Sequence, residues 1–139
     1  MMNPGEASAL ARGLPPGKRW STGTPQKPGL TLTIDLGEEQ AIDFVTLRCP
    51  HHPADFPRGL RASYSLDGKK WEETPMQLVE PLAFTGQVLL RYRGPVQRYR
   101  LTPTVRGRFL RLSLTEADPT YWWSVESIRI SRALRPGEN

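Results

Sequence analysis

The chain has 139 residues, with 19 Lys and Arg against 14 Asp and Glu and a formal net charge of +5. That length is one domain with enough material for a core, and the single Cys49 excludes an internal disulfide, so stability must come from packing. No apolar run is long enough for a signal peptide or for the roughly 18 residues of a membrane span, so the chain is expected to be soluble. It is equally compatible with a segment cut from a longer exported or membrane-anchored protein, and its compartment is left open.

In chain order the hydrophobic pattern has period 2 and nowhere a convincing 3.6. Residues 1–17 read as a flexible N-terminal segment. Leu30, Leu32, Ile34 and Leu36 alternate with Thr31, Thr33 and Asp35, which gives a half-buried strand. Residues 42–48, 60–66 and 71–74 read as the next three. Between the last two, Asp67-Gly68 is a hairpin signal with positive φ expected at both residues. Trp71 is expected to be buried beside Tyr64 and Leu66. Residues 88–92 and 98–102 follow, separated by Gly94-Pro95. Leu110, Leu112 and Leu114 alternate with polar neighbours, and residues 125–130 close the set with Ile128 and Ile130 pointing inward. Residues 132–139 form a tail. Eight short strands, with 14 Pro and 12 Gly between and within them, argue for an antiparallel sandwich or barrel.

Seven arginines fall in one stretch: Arg91, Arg93, Arg98, Arg100, Arg106, Arg108 and Arg111. On strands, pairs spaced two apart share a face, so a solvated outer sheet face is the first reading and an anionic surface the second. Aromatic interleaving is poor and no nucleic-acid signature accompanies them, so nucleic acid is not an expected partner.

Two loops concentrate chemistry. Residues 49–58 hold Cys49, His51, His52, Asp55 and Arg58 among three prolines that stiffen the loop. Cys, His and Asp are zinc-ligand types, but all lie in one loop with no second pair elsewhere, so no metal is expected. Residues 118–124 hold Tyr121, Trp122 and Trp123 in succession. Neighbours in extended chain point opposite ways, so one ring should pack and one be presented: Trp122 at the surface, Trp123 buried. An exposed ring is a platform for the apolar face of a sugar.

Ile34-Asp35-Leu36-Gly37, Ser65-Leu66-Asp67-Gly68-Lys69-Lys70-Trp71 and Arg108-Phe109-Leu110-Arg111-Leu112 together resemble the discoidin family. These are also called coagulation factor 5/8 type C domains, and their bacterial relatives include family 32 carbohydrate-binding modules. The resemblance implies an all-β, galactose-binding-like jelly-roll sandwich over residues 18–131. Trp20 matches the Trp that the family places before its first core strand, as a lid on the core. Arg19-Trp20, Pro25-Gln26-x-Pro28-Gly29, Asp55-x-Pro57-Arg58 and Tyr121-Trp122-Trp123-Ser124 are similar to a subtype appended to bacterial membrane glycosyltransferases. Many relatives carry an acidic calcium loop ahead of the Trp. Here Pro15-Pro16-Gly17-Lys18-Arg19 supplies no carboxylate, so melts with a chelator or with added calcium or zinc are expected to superimpose.

Enzyme chemistry finds little support. The two histidines are adjacent, and no Gly-x-Ser-x-Gly elbow or phosphate-cradling loop is present. Glu116, Asp118 and Glu126 lie near the aromatic loop, but nothing marks one as a catalytic acid. The expectation is a non-catalytic module without cofactor, weakly binding a glycan at one end of the sandwich and belonging to a larger bacterial protein. Trp122 or Tyr121 would stack on the sugar; His51, His52, Asp55 and Arg58 would bond its hydroxyls, with Arg19 at the rim. The alternative is an interaction module docking onto another domain of its parent protein or onto an anionic surface.

Overall fold

The computed structural model describes residues 20–80 and 96–131. Its strands are β1 (Trp20–Gln26), β2 (Thr31–Arg48), β3 (Leu60–Ser65), β4 (Glu72–Thr74), β5 (Met76–Glu80), β6 (Val96–Leu114), β7 (Asp118–Val125) and β8 (Ser127–Ser131). One sheet runs β4-β3-β6-β2-β8, with β5 also on β6, and a second consists of β1 and β7. The fold is the expected all-β sandwich. Among the described residues no helix is long and apolar enough to cross a membrane. The segments 1–17 and 132–139, the expected strand at 88–92, and Arg19, Arg91 and Arg93 lie outside the described residues.

The core follows from strand alternation. Leu32, Ile34, Ile42, Val45 and Leu47 from β2 meet Leu101, Val105, Leu110, Leu112 and Leu114 from β6, and β7 closes over them with Trp123 and Val125. Ile128 is buried, and Ile130 is half-buried against the same cluster.

The two central strands are longer than expected. The segments read separately at 30–36 and 42–48 are one strand, and those at 98–102 and 110–114 are another. A break was expected at Asp-Leu-Gly because Gly ends many strands, but here the Gly makes a bulge. Pairing jumps from Asp35↔Phe109 to Gln40↔Gly107, and Gly37 takes φ +85°, a conformation that disfavours other residues. The Asp35 carboxylate accepts the Gly37 amide at 2.8 Å and the Arg108 guanidinium at 2.9 and 3.0 Å. Two of the motifs that suggested the family are thus one contact.

The Asp-Gly turn is also different from its expectation. β3 and β4 do pair antiparallel, but the connection is a loop in which Gly68 has φ +79° and Asp67 has no positive φ. Asp67 acts through its side chain, accepting the amides of Lys69 at 2.8 Å and Lys70 at 3.0 Å. Trp71 is half-buried rather than buried, because it lies against the outer face of the sheet. It meets Phe109 edge-on at 6.5 Å and the Arg111 guanidinium at 3.9 Å, while Leu66 is 59% exposed. Trp71→Ala should therefore cost about 1–2 kcal/mol, the sum of an aromatic pair and an exposed cation–π contact, and not the larger figure of a core deletion. Urea denaturation would check this, and a loss above about 3 kcal/mol would place Trp71 in the core.

The arginine run is mostly a laced outer face. Arg98 and Arg100 lie over Phe44 at 4.0 and 5.8 Å, Arg106 pairs with Glu39 at 2.7 Å, Arg108 with Asp35, and Arg111 with Trp71. Cations with local partners on a strand face are the ordinary solvated arrangement.

Candidate functional site

The connection between β2 and β3, residues 49–59, packs against β7 through a short 3-10 turn, Pro53–Asp55. This brings together the two loops that the sequence marked separately. The residue that joins them is Gln26, at the end of β1. It is 2% exposed, and its amide donates to the carbonyls of Phe56 at 2.9 Å and Trp122 at 3.2 Å. Its Oε1 accepts the Arg58 amide at 2.9 Å. Sequence reasoning missed this role, although Gln26 sits inside one of the quoted motifs; a Gln between Pro25 and Lys27 reads as an ordinary turn residue and carries no signal of its partners.

Arg58 braces the same region. Its Nε donates to Asp118 at 2.8 Å, and its Nη1 donates to the carbonyls of Ala54 at 2.9 Å and Phe56 at 2.6 Å. The guanidinium lies 3.9 Å from the Phe56 ring and 5.3 Å from that of Tyr121. Asp55 accepts the Ser124 hydroxyl at 2.6 Å. Arg58 and Asp55 thus hold the loop and β7 together.

The aromatic rings divide along β7, whose first half is open and whose second half is buried. Tyr121 is 42% and Trp122 38% exposed, whereas Trp123 is fully buried, edge-on to Trp20 at 5.0 Å. Trp20 is half-buried on the core. The segment carrying the rings is a strand, not the expected loop, because β1 supplies it with a partner across Pro25↔Trp122 and Trp20↔Val125.

The histidines sit at the other side of the 3-10 turn. His51 is exposed, yet its Nδ1 lies 2.5 Å from Glu126 Oε1 and its amide donates to Glu126 Oε2 at 2.7 Å. His52 is half-buried. Cys49 is buried, and Glu126 is 8% exposed. Burial, then the carboxylates of Glu126 and Asp55, push the Cys49 thiol up to about 12. The reading that every metal-ligand type falls in one loop is corrected here. Glu126, far along the chain, is carried to that loop by its amide, which donates to the Arg48 carbonyl at 2.8 Å.

The carboxylates give the domain an acid limit. The Arg108 hydrogen bond holds Asp35 below its usual 3.8, and the Lys70 and Lys69 amides hold Asp67 at about 2. Burial works to raise Asp118, but the amides of Thr120 and Tyr121 and the Arg58 side chain outweigh it and leave it lowered. Folded values below unfolded ones mean that this stabilisation is complete above about pH 4 and is lost as pH falls through the folded values. Melting temperature should fall between about pH 4 and about pH 2, less steeply in Asp118→Asn. Equal slopes for the two proteins would remove Asp118 from the account.

With this geometry in place the relatives can be compared. The family model for the F5/8 type C domain matches residues 2–128. The chain belongs to the F5/8 type C domain family. Solved F5/8-type folds similar to it include a family 32 carbohydrate-binding module from a family 31 glycoside hydrolase of Clostridium perfringens, at TM-score 0.63 and 13% identity, covering 91% of this chain and 83% of that one. A second is the family 32 module of AlyQ in complex with 4,5-unsaturated mannuronic acid, at TM-score 0.57 and 19% identity over 85% and 82%. A third is a pectin-binding carbohydrate-binding module, at TM-score 0.54 and 18% identity over 94% and 85%. At these identities the likeness shows the fold. No curated protein sequence matches this F5/8 type C domain.

Proposed function

We propose that this F5/8 type C domain is a non-catalytic glycan-binding module, part of a larger bacterial protein, with Trp122 and Tyr121 as its stacking surface. The observation that carries the reading is the pair of adjacent exposed rings on the open half of β7, directly before the fully buried Trp123. An apolar ring of this size left in water is costly to leave unused, and a flat π-face suits the C–H face of a sugar. The similar modules named above, which include one in complex with a uronic acid and one that binds pectin, support the ligand class.

His51 supplies an exposed imidazole for hydroxyl groups. Asp55 and Arg58, whose polar atoms already have internal partners, are positioning residues that fix the rings. A site this open should bind each sugar with a Kd on the order of mM, about 4 kcal/mol, and become useful through tethering to an enzyme. A glycan array with uronic-acid and galactose-type ligands, followed by titration of hits, tests the reading. Dose-dependent binding lost in Trp122→Ala supports it. No binding, together with a size-exclusion complex with a parent domain, would replace it with docking.

A further inference from the structure

We propose that Cys49, His52 and Glu126 form a site for a zinc-class divalent cation. The site is independent of the glycan reading. One ligand atom from each residue lies within 4.8 Å of the others. Around tetrahedral zinc such atoms are about 3.3–3.8 Å apart, so closing the set asks for a contraction of about 1 Å. Two of the ligands come from one loop, turned so that the His52 amide donates to the Cys49 carbonyl at 3.2 Å, which sets residues three apart on the same side. The third arrives from the junction of β7 and β8.

Three further features point to a ligand. His52 Nδ1 is enclosed and has no hydrogen-bond partner among the described residues, an expensive arrangement for an imidazole unless something else takes its lone pair. His51 holds both Glu126 oxygens, one through its ring and one through its amide, so the carboxylate is aimed by a neighbour that is not itself needed as a ligand. The thiol and the carboxylate are both buried.

Charge closes with a dication. On binding, the Cys49 S–H bond breaks, the proton leaves to solvent, and sulfur forms the metal bond; thiolate and carboxylate then offset the two positive charges, with His52 neutral. A soft thiolate with an imidazole selects zinc over calcium or magnesium, and three protein ligands leave a fourth position for water. The proposal takes the place of the zinc half of the expected metal independence, and the calcium half stands as an expectation.

The test uses the full chain, stripped with a chelator and titrated with Co(II). One equivalent should bind, with a thiolate-to-cobalt charge-transfer band that zinc abolishes by displacement, and zinc should raise the melting temperature where calcium does not. Cys49→Ser should lose the band and the zinc shift while keeping its strand spectrum. His52→Gln, a second variant in case the first fails to fold, should weaken zinc by more than about tenfold. A six-coordinate cobalt spectrum without a thiolate band overturns the proposal, as does a zinc shift that survives in both variants.

Discussion

Trp123→Ala is expected to destabilise the domain by about 3–5 kcal/mol, the range for deleting a large buried ring, while the neighbouring Trp122→Ala should cost less than about 1 kcal/mol. Trp123 is fully buried and packs edge-on to Trp20 at 5.0 Å, so its loss opens a cavity between the two sheets and strips Trp20 of its partner. Among the described residues the small sheet has two strands to hold it, and Trp123 and Val125 are its contribution to the buried cluster. Trp122 leaves its side chain 38% exposed, and the contact that fixes its backbone is a carbonyl that alanine keeps. Thermal melts and glycan titration on both variants separate stability from binding. If Trp122→Ala unfolds the domain, the division of the rings is wrong; if it folds and still binds, the rings are not the site.

Gln26→Leu should cost about 2–4 kcal/mol although it adds apolar volume to a buried position. The leucine takes away the Gln26 donor to the Trp122 carbonyl and the acceptor of the Arg58 amide, and leaves the Phe56 carbonyl with the Arg58 guanidinium. Each such group costs about 1–3 kcal/mol when left unpaired in a buried place, while leucine returns about 2 kcal/mol of transfer energy. The unpaired groups win. Binding should weaken too, because the Trp122 backbone loses its tie to the Phe56 loop. Chemical denaturation and hydrogen exchange at the Arg58 amide are the measurements; a neutral variant with a protected amide would show that water replaces the glutamine.

Alternation is a local property, and it carried the class of the fold. Leu32 and Ile34, Leu110 and Leu112, and Ile128 follow from period 2, whereas on β7 the exposed residues 119–122 and the buried 123–125 come in succession, so Trp122 is outward and Trp123 inward without alternation being the reason. What alternation does not encode is where a strand continues past a glycine. Gly37 looks the same in sequence whether it ends a strand or bulges one, and the answer depends on Phe109 and Gly107 across the sheet. The site was legible as two separate loops and illegible as one object. Its connectors, Gln26 and Glu126, act through partners far along the chain. Trp71 failed for a related reason: a large ring in a hairpin says that it packs, and it does not say on which face.

The first described strand is zipped to the seventh, and the two longest strands are paired with each other across most of the chain. During synthesis β1 therefore emerges long before β7, its sheet partner among the described residues, and the inner face of the large sheet waits for Trp123 until that strand leaves the ribosome. Such late, non-local closure favours folding in milliseconds to seconds over microseconds, with little native structure available to a chain stopped short of β7. A ribosome stall or a nonsense codon anywhere before Asp118 would release an adhesive, protease-sensitive fragment rather than a smaller working module.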